Sequence, residues 1–207
     1  MDVFVPFDAV DPKSRLTPPL SEEERGAFAM AMLEDVISTI ESVGPTPQVL
    51  SNAPMDVPWS VFIDERALTP AVNSLLKLSE GPLAIVMADL PLVTPTAIDR
   101  LLSAEGDLVL APGVGGGTNA LVIRDRSFTV DFHGCSIADH RQIAEEAGLS
   151  VTSIDSYAFG VDIDEPDDLA EVLLHSDGSA ADWLVEQDFS VVEDDQHRVT
   201  VERTSGD

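Results

Sequence analysis

The segment that most restricts the fold is Leu83 to Met87, a continuous apolar run that ends in Ala88-Asp89. A short stretch with no polar alternation is expected of a strand covered on both faces, which requires a sheet sandwiched between helices. The rest of the chain repeats the plan. Val3 to Val5, Gln48 to Ser51, Val61 to Ile63, Leu108 to Ala111, Asn119 to Ile123 and Val151 to Ile154 read as further strands. Helical patterns alternate with them. Ser21 and Glu24 stand at capping-box spacing ahead of Phe28, Met32, Leu33, Val36, Ile37 and Ile40, and Gly44 stops that helix. Pro70 to Leu78, Thr94 to Leu102, Ser136 to Ala147 and Asp164 to Leu174 are the other predicted helices, the last opened by Glu165-Pro166. This alternation implies an α/β fold with a mostly parallel central sheet and helices on both faces. After Ser176 the pattern changes to a short helix, Ala180 to Glu186, and a hairpin of Phe189 to Val192 with Val199 to Val201 around Glu193 to Arg198. The expected organisation is one domain over residues 1–175, with residues 176–207 as a small helix-hairpin appendage of the same domain.

Charge narrows the function classes. The chain has 207 residues, 38 acidic and 11 basic, a formal net charge of −27, yet 44% of its residues are hydrophobic. That apolar content suffices to form a core, so an acidic disordered chain is excluded. A field of this sign repels phosphate backbones, so nucleic acid is not an expected partner. Lys13 and Lys77 are the only lysines. Abundant carboxylates with almost no lysine suit a protein kept soluble in concentrated salt, where self-repulsion is screened. A halophile's cytoplasmic protein is the expectation. Met1 leads into an apolar run without a basic leader, and no apolar stretch reaches the ~18 residues of a membrane span, so no membrane partner is expected. Cys135 is the sole cysteine and the four histidines are scattered, which leaves neither an intrachain disulfide nor a zinc pattern. Cys135 also lacks the partners of a nucleophilic triad, which disfavours covalent catalysis.

Candidate chemistry gathers at strand ends. Asp89 follows the buried run, at the sheet edge where open α/β folds place ligands, and a carboxylate there calls for a cation; capping the loop before Pro91 is the alternative. Asp162 and Asp164 flank Ile163 in an extended segment, so both carboxylates face one way while Ile163 turns inward. With Asp89 they form an oxygen set suited to Mg²⁺, although Asp-x-Asp also serves as a lead-in to the next helix. Lys13 and Arg15, in the loop after the first strand, are placed to meet a triphosphate. Gly113 to Asn119 reads G-V-G-G-G-T-N, which permits close backbone approach by an anion but is also the composition of a flexible hairpin. Gly134-Cys135-Ser136 opens a helix and offers free N–H groups, with His140 one turn further on. His133 and His140 are otherwise ordinary surface or core histidines.

Read together, Pro12-Lys13-Ser14-Arg15-Leu16, Leu20-Ser21, Glu24-Arg25, Met87-Ala88-Asp89-Leu90-Pro91-Leu92, Gly115-Gly116-Gly117-Thr118-Asn119-Ala120-Leu121 and Asp162-Ile163-Asp164-Glu165-Pro166 resemble the archaeal CofC family of 2-phospho-L-lactate guanylyltransferases. The likeness spans nearly the whole chain. It implies a GT-A-like nucleotidyltransferase domain that joins 2-phospho-L-lactate to GTP in coenzyme F-420 biosynthesis, forming lactyl-2-diphospho-5′-guanosine and pyrophosphate. Carried over by position, Asp89, Asp162 and Asp164 would hold Mg²⁺. Lys13, Arg15, Thr69, Asn73 and Asp89 would bind the nucleotide, with Lys13, Arg15 and Asp89 in catalytic roles. Gly117, Thr118, Asn119, Gly134, Ser136 and His140 would hold the phospholactate. Two positions depart from the family, which often has Lys where this chain has Asp8 and Asn where it has Thr69. A phosphoenolpyruvate acceptor, a metal-dependent GT-A glycosyltransferase and a non-catalytic nucleotide-binding module are the competing readings. A homodimer is the expected assembly.

Overall fold

The apolar run becomes strand β4 (Leu83–Val86), all of it buried, and its neighbours are decided by which other segments can hide both faces. In the computed structural model, which describes residues 1–193, 197 and 199–204, it lies at the centre of a seven-stranded sheet ordered β3-β2-β1-β4-β6-β5-β7. The other strands are β1 (Asp2–Phe7), β2 (Gln48–Ser51), β3 (Val61–Ile63), β5 (Leu108–Pro112), β6 (Thr118–Ile123) and β7 (Val151–Ser153). Pairings β1/β2, β2/β3, β1/β4 and β5/β7 are parallel, whereas β6 runs antiparallel to both β4 and β5. The predicted mostly parallel sheet is therefore present with one reversed strand. The reversal follows from the short Gly113–Gly117 connection, which is long enough for a hairpin but not for a crossover.

Period-two alternation sorts the sheet residues into two cores. Val3, Val5, Ala84, Val86, Ala120 and Val122 pack with Leu33, Val36, Ile37 and Ile40 of α1 (Glu22–Ser42) and Ile98 and Leu101 of α3 (Pro95–Ser103). Phe4, Leu83, Ile85, Leu121 and Ile123 face Ala71, Val72 and Leu75 of α2 (Leu68–Leu78) and Ile137 and Ala144 of α4 (Ser136–Glu146). A third cluster joins Leu16, Leu20, Phe28 and Met32 to Ile163, Leu169 and Val172 and to Ala180, Leu184 and Phe189. It ties the N-terminal loop and α1 to α6 (Leu169–His175), α7 (Ser179–Glu186) and the hairpin β8 (Phe189–Glu193) and β9 (Val199–Arg203). Part of the turn expected between Glu193 and Arg198, residues 194–196 and 198, lies outside the described residues.

The helix expected from Asp164 is shorter. Asp164 and Glu165 stay extended because their N–H groups donate to Asp168 Oδ2 (2.9 and 2.8 Å), a 3-10 turn spans Pro166–Asp168, and α6 follows. Helix α5 (Tyr157–Gly160), a single turn with no apolar period to announce it, was not foreseen. Among the described residues no helix is long and apolar enough to cross a membrane.

Candidate active site

Three chain segments meet at the C-terminal edge of β1 and β4. The first is the loop after β1, which would be costly to order without anchors. Leu16 and Leu20 supply them by full burial, and Arg25, in the first turns of α1, donates from Nη1 to Asp11 Oδ1 (2.8 Å) and to the Pro12 carbonyl (2.7 Å). Helix α1 begins where foreseen, at the Ser21/Glu24 capping box, so the position of Arg25 is fixed. The loop thereby holds Lys13 in the left-handed region (φ 55°), unusual for a residue with a Cβ, ahead of a 3-10 turn over Ser14–Leu16.

The second and third segments are joined by one backbone bond, from Ile163 N–H to the Asp89 carbonyl (3.0 Å). Ile163 is fully buried, so the alternation directs Asp162 and Asp164 back towards Asp89. The three residues offer carboxylate oxygens that all lie within 4.8 Å of one another. Like charges at that spacing repel by about 4 kcal/mol per pair at an effective dielectric near 20. Lys13 offsets this, its Nζ standing 2.5 Å from Asp89 Oδ2 and 2.7 Å from Asp164 Oδ1, while Arg15 pairs with Asp164 Oδ2. Burial works to lower the Lys13 pKa, but Asp89 and Asp164 together outweigh it and hold the ammonium above its ordinary value. Burial pushes the Asp164 carboxyl up, and Lys13 and Arg15 reverse that to a net lowering. Among the described residues Asp162 pairs with no cation; burial raises its pKa, Asp89 and Asp164 add to the rise, and hydrogen bonds from Asn119 and from its own backbone only partly oppose it.

The donor set fits a divalent ion. Asp89 Oδ1 is one of two buried side-chain atoms without a hydrogen-bond partner among the described residues, which leaves an oxygen available inside a cluster of hard ligands.

A β-bulge arranges what lies beside the carboxylates. Thr118 pairs with Pro112 and Ala120 with Ala111, so Asn119 is the extra residue, and Thr118 and Asn119 point to opposite faces. Asn119 Nδ2 donates to the Phe159 carbonyl (2.8 Å) and to Asp162 Oδ1 (3.0 Å). Gly113 is required beside it, since a Cβ there would come within 2.7 Å of the Asn119 amide. Thr118 turns the other way, into a buried network. His140 Nε2 accepts from Asp131 N–H (3.0 Å), which leaves the proton on Nδ1, 2.9 Å from Thr118 Oγ1. Ser136 Oγ donates to the same oxygen (3.2 Å). With both acceptor sites filled, the Thr118 hydroxyl has only its proton to offer. Burial lowers the His140 pKa to about 4, so the ring stays neutral. The Gly-rich segment is a hairpin connection, but an anchored one: Gly113 N–H bonds Gly117 O, Val114 N–H bonds Gly160 O, and Ile137 N–H bonds Gly116 O. Gly116 holds a positive φ (85°), and no side chain caps the N-terminus of α4 that faces the loop.

A cavity of about 360 Å³ extends from Lys13 and Asp89 across the ends of β1, β2 and β3, lined among others by Asp8, Ser51, Asn52, Asp64 and Arg66. The sequence reading missed the last four because they lie at or just past the ends of short strands with no motif around them. Asp8 accepts from the Val10 and Asp11 N–H groups and from Asn52 Nδ2 (2.6 Å), which shapes the loop. Thr69 and Asn73 are placed elsewhere. Thr69 Oγ1 accepts from Phe132 N–H, and Asn73 exchanges two bonds with the Val130 backbone, so both clamp residues 130–132 onto α2 and neither lines the cavity. Gly134 adopts φ 55° just before α4, Cys135 and His133 are exposed, and Arg15 is largely in solvent.

Comparison with known proteins places the chain in a family. A 2-phospho-L-lactate guanylyltransferase of Natronomonas pharaonis is 54% identical over 203 residues, 98% of this chain and 99% of the relative. One of Halomicrobium mukohataei is 56% identical over 184 residues, 89% of this chain and 91% of the relative. Both come from haloarchaea, in keeping with the acidic composition. Among solved structures, a Desulfovibrio desulfuricans G20 protein named for nucleotide-diphospho-sugar transfer superposes with a TM-score of 0.72 at 14% identity, covering 91% of this chain and 96% of that one, which shows a shared fold. The sequence profile of the family described as guanylyl transferase CofC like matches residues 1–204, and this chain, with its nucleotidyltransferase fold and its Asp89, Asp162 and Asp164 cluster, belongs to that family.

Proposed function

We propose that the chain transfers the guanylyl group of GTP to the phosphate of 2-phospho-L-lactate, giving lactyl-2-diphospho-5′-guanosine and pyrophosphate in coenzyme F-420 biosynthesis. The observation that carries the reading is the three-carboxylate cluster with its Asp89 oxygen unpartnered among the described residues, at one end of a cavity of about 360 Å³ and bonded to the half-buried Lys13. The high identity to relatives bearing the corresponding name supports the same substrates.

The attacking group would be a phosphate oxygen, already ionised near neutral pH, so no general base is needed and the protein has to align and neutralise. Asp89, Asp162 and Asp164 would hold Mg²⁺, which when bound supplies Lewis-acid polarisation of the phosphates. Lys13 would exchange its carboxylate contacts for triphosphate oxygens and neutralise the charge that builds on departing pyrophosphate, with Arg15 assisting from the exposed side. Thr118 would donate its one free proton to an acceptor oxygen, held in that role by His140 and Ser136, and the uncapped start of α4 would face the same anion. Asn119 would keep Asp162 turned towards the ion. Among the described residues none is placed for a covalent intermediate.

The direct test is mass spectrometry of products after incubation in high salt with Mg²⁺, each of GTP and the other nucleoside triphosphates, and phospholactate or phosphoenolpyruvate. A guanylylated phospholactate with equimolar pyrophosphate is expected. A product from phosphoenolpyruvate alone would reassign the acceptor, and the absence of pyrophosphate with every pair would exclude nucleotidyl transfer.

A further inference from the structure

Only two cationic side chains line the cavity among the described residues, Lys13 at the carboxylate cluster and Arg66 beyond β3. Both stand at the same edge of the sheet, but β3 and β4 are three strand positions apart in the order β3-β2-β1-β4, so the strand ends that carry the Asp89 cluster and the Asp64–Arg66 turn are about 14 Å apart. An elongated ligand whose phosphates engage Lys13 would present its other end to Arg66. In a chain of net charge −27, a cation retained at that end has a binding rationale that an ordinary surface position would not give it.

Arg66 is held in a defined pose. Asp64 N–H donates to the Ser51 carbonyl (2.8 Å), which fixes the end of β3 against β2. The buried Asp64 carboxylate then takes Arg66 N–H (3.1 Å) and Nε (2.8 Å) on Oδ1 and Arg66 Nη2 on Oδ2. This engages one edge of the guanidinium in a fork and leaves the opposite Nη1/Nη2 edge, a pair of parallel N–H donors, without a partner among the described residues. Such an edge matches two adjacent acceptors. Guanine presents O6 and N7 side by side, whereas adenine replaces O6 with a donating amino group and the pyrimidines offer no second acceptor there.

We infer that Arg66 reads the O6/N7 edge of the guanine base, and that Asp64 acts as a positioning residue that orients it. The inference rests on the guanylyltransferase reading above and adds to it the residue that would select the base. The Arg66 side chain is more than half exposed, so its pair with Asp64 contributes little to stability and Arg66→Ala is expected to fold.

The test compares kcat/KM for GTP, 7-deaza-GTP and ATP, followed by pyrophosphate release in high salt, for the wild type, Arg66→Ala, Asp64→Asn and the double variant. The wild type should lose activity on 7-deaza-GTP, which lacks the N7 acceptor. Arg66→Ala should lower the GTP-to-ATP ratio by about 10- to 100-fold, as expected for loss of one bidentate base contact, and should remove the 7-deaza penalty. Asp64→Asn should lower the ratio by less and have no further effect on it once Arg66 is gone. An unchanged ratio in Arg66→Ala with active wild type overturns the assignment alone, as does an equal loss on GTP and ATP, which would mark a phosphate contact. A wild type that releases no pyrophosphate from GTP overturns the guanylyltransferase reading and this assignment with it.

Discussion

Two polar clusters flank the β6 bulge, and they solve burial in opposite ways. The cluster of Asp89, Asp162, Asp164 and Lys13 is made of charges, half-buried, with a raised Asp162 pKa and an oxygen on Asp89 that has no partner. The cluster of Thr118, Ser136 and His140 is neutral, fully inside, and complete except for one hydroxyl proton. The charged group is unfinished without a cation and so depends on what binds. The neutral group is finished in advance and so fixes direction. Asn119 and Thr118, adjacent in sequence and split between faces by the bulge, connect the two.

The contrast is most easily broken at Lys13. Replacing it with Met leaves the carboxylates without their compensating ammonium, and turnover should fall by about 10²- to 10³-fold, as for loss of one transition-state donor. The same variant should melt at a lower temperature without Mg²⁺ and recover part of the difference when Mg²⁺ is added, measured by calorimetry; a variant indifferent to the ion would mean that the carboxylates do not share a site.

The neutral cluster makes a pH prediction. An unfolded His titrates near 6.5, whereas burial lowers the His140 pKa in the fold to about 4. Between those values the unfolded chain binds the extra proton, so the fold loses stability as pH falls from about 6.5 to about 4, by on the order of 3 kcal/mol in full. Stability above that window is unaffected by this group. Denaturant unfolding at a series of pH values should show the loss in the wild type and a flatter curve in His140→Gln; equal slopes would contradict a buried neutral ring.

Much of this was readable in advance, for identifiable reasons. Strands such as Gln48–Ser51 and Val61–Ile63 have the predicted bounds because apolar runs flanked by turn-forming residues leave little choice. Period-two alternation brought Asp162 and Asp164 to one side, and a capping box marked the start of α1. Strand direction has no such signature, so the reversal of β6 was hidden in a loop length. The pose of Lys13 depends on Arg25 and on two buried leucines in the turns of chain that follow it, and the cavity residues Asp64 and Arg66 are joined to Lys13 only by the sheet order. Thr69 and Asn73 show the reverse: the family resemblance implied a nucleotide role for them, whereas in the fold their side chains bond the 130–132 backbone.

Smaller effects sharpen the division of labour. Thr118→Val keeps the shape and removes the proton; KM for the acceptor should rise by about 10-fold or more, as for a hydrogen bond to a charged group, with KM for GTP nearly unchanged. Arg15, largely exposed, should matter least: Arg15→Ala should change the melting temperature very little and weaken nucleotide affinity by several-fold at most, with the effect shrinking as salt rises.

The claim beneath all of these is that Asp89, with the Asp162/Asp164 pair, holds a divalent ion on which the reaction depends. The measurement is pyrophosphate release from GTP and phospholactate against Mg²⁺ concentration, in high salt, for the wild type and Asp89→Asn. The account requires Mg²⁺-dependent turnover in the wild type and a loss of at least about 10²-fold in the variant at saturating Mg²⁺. Near-normal turnover in Asp89→Asn, or wild-type release that is indifferent to chelation of divalent ions, would contradict it.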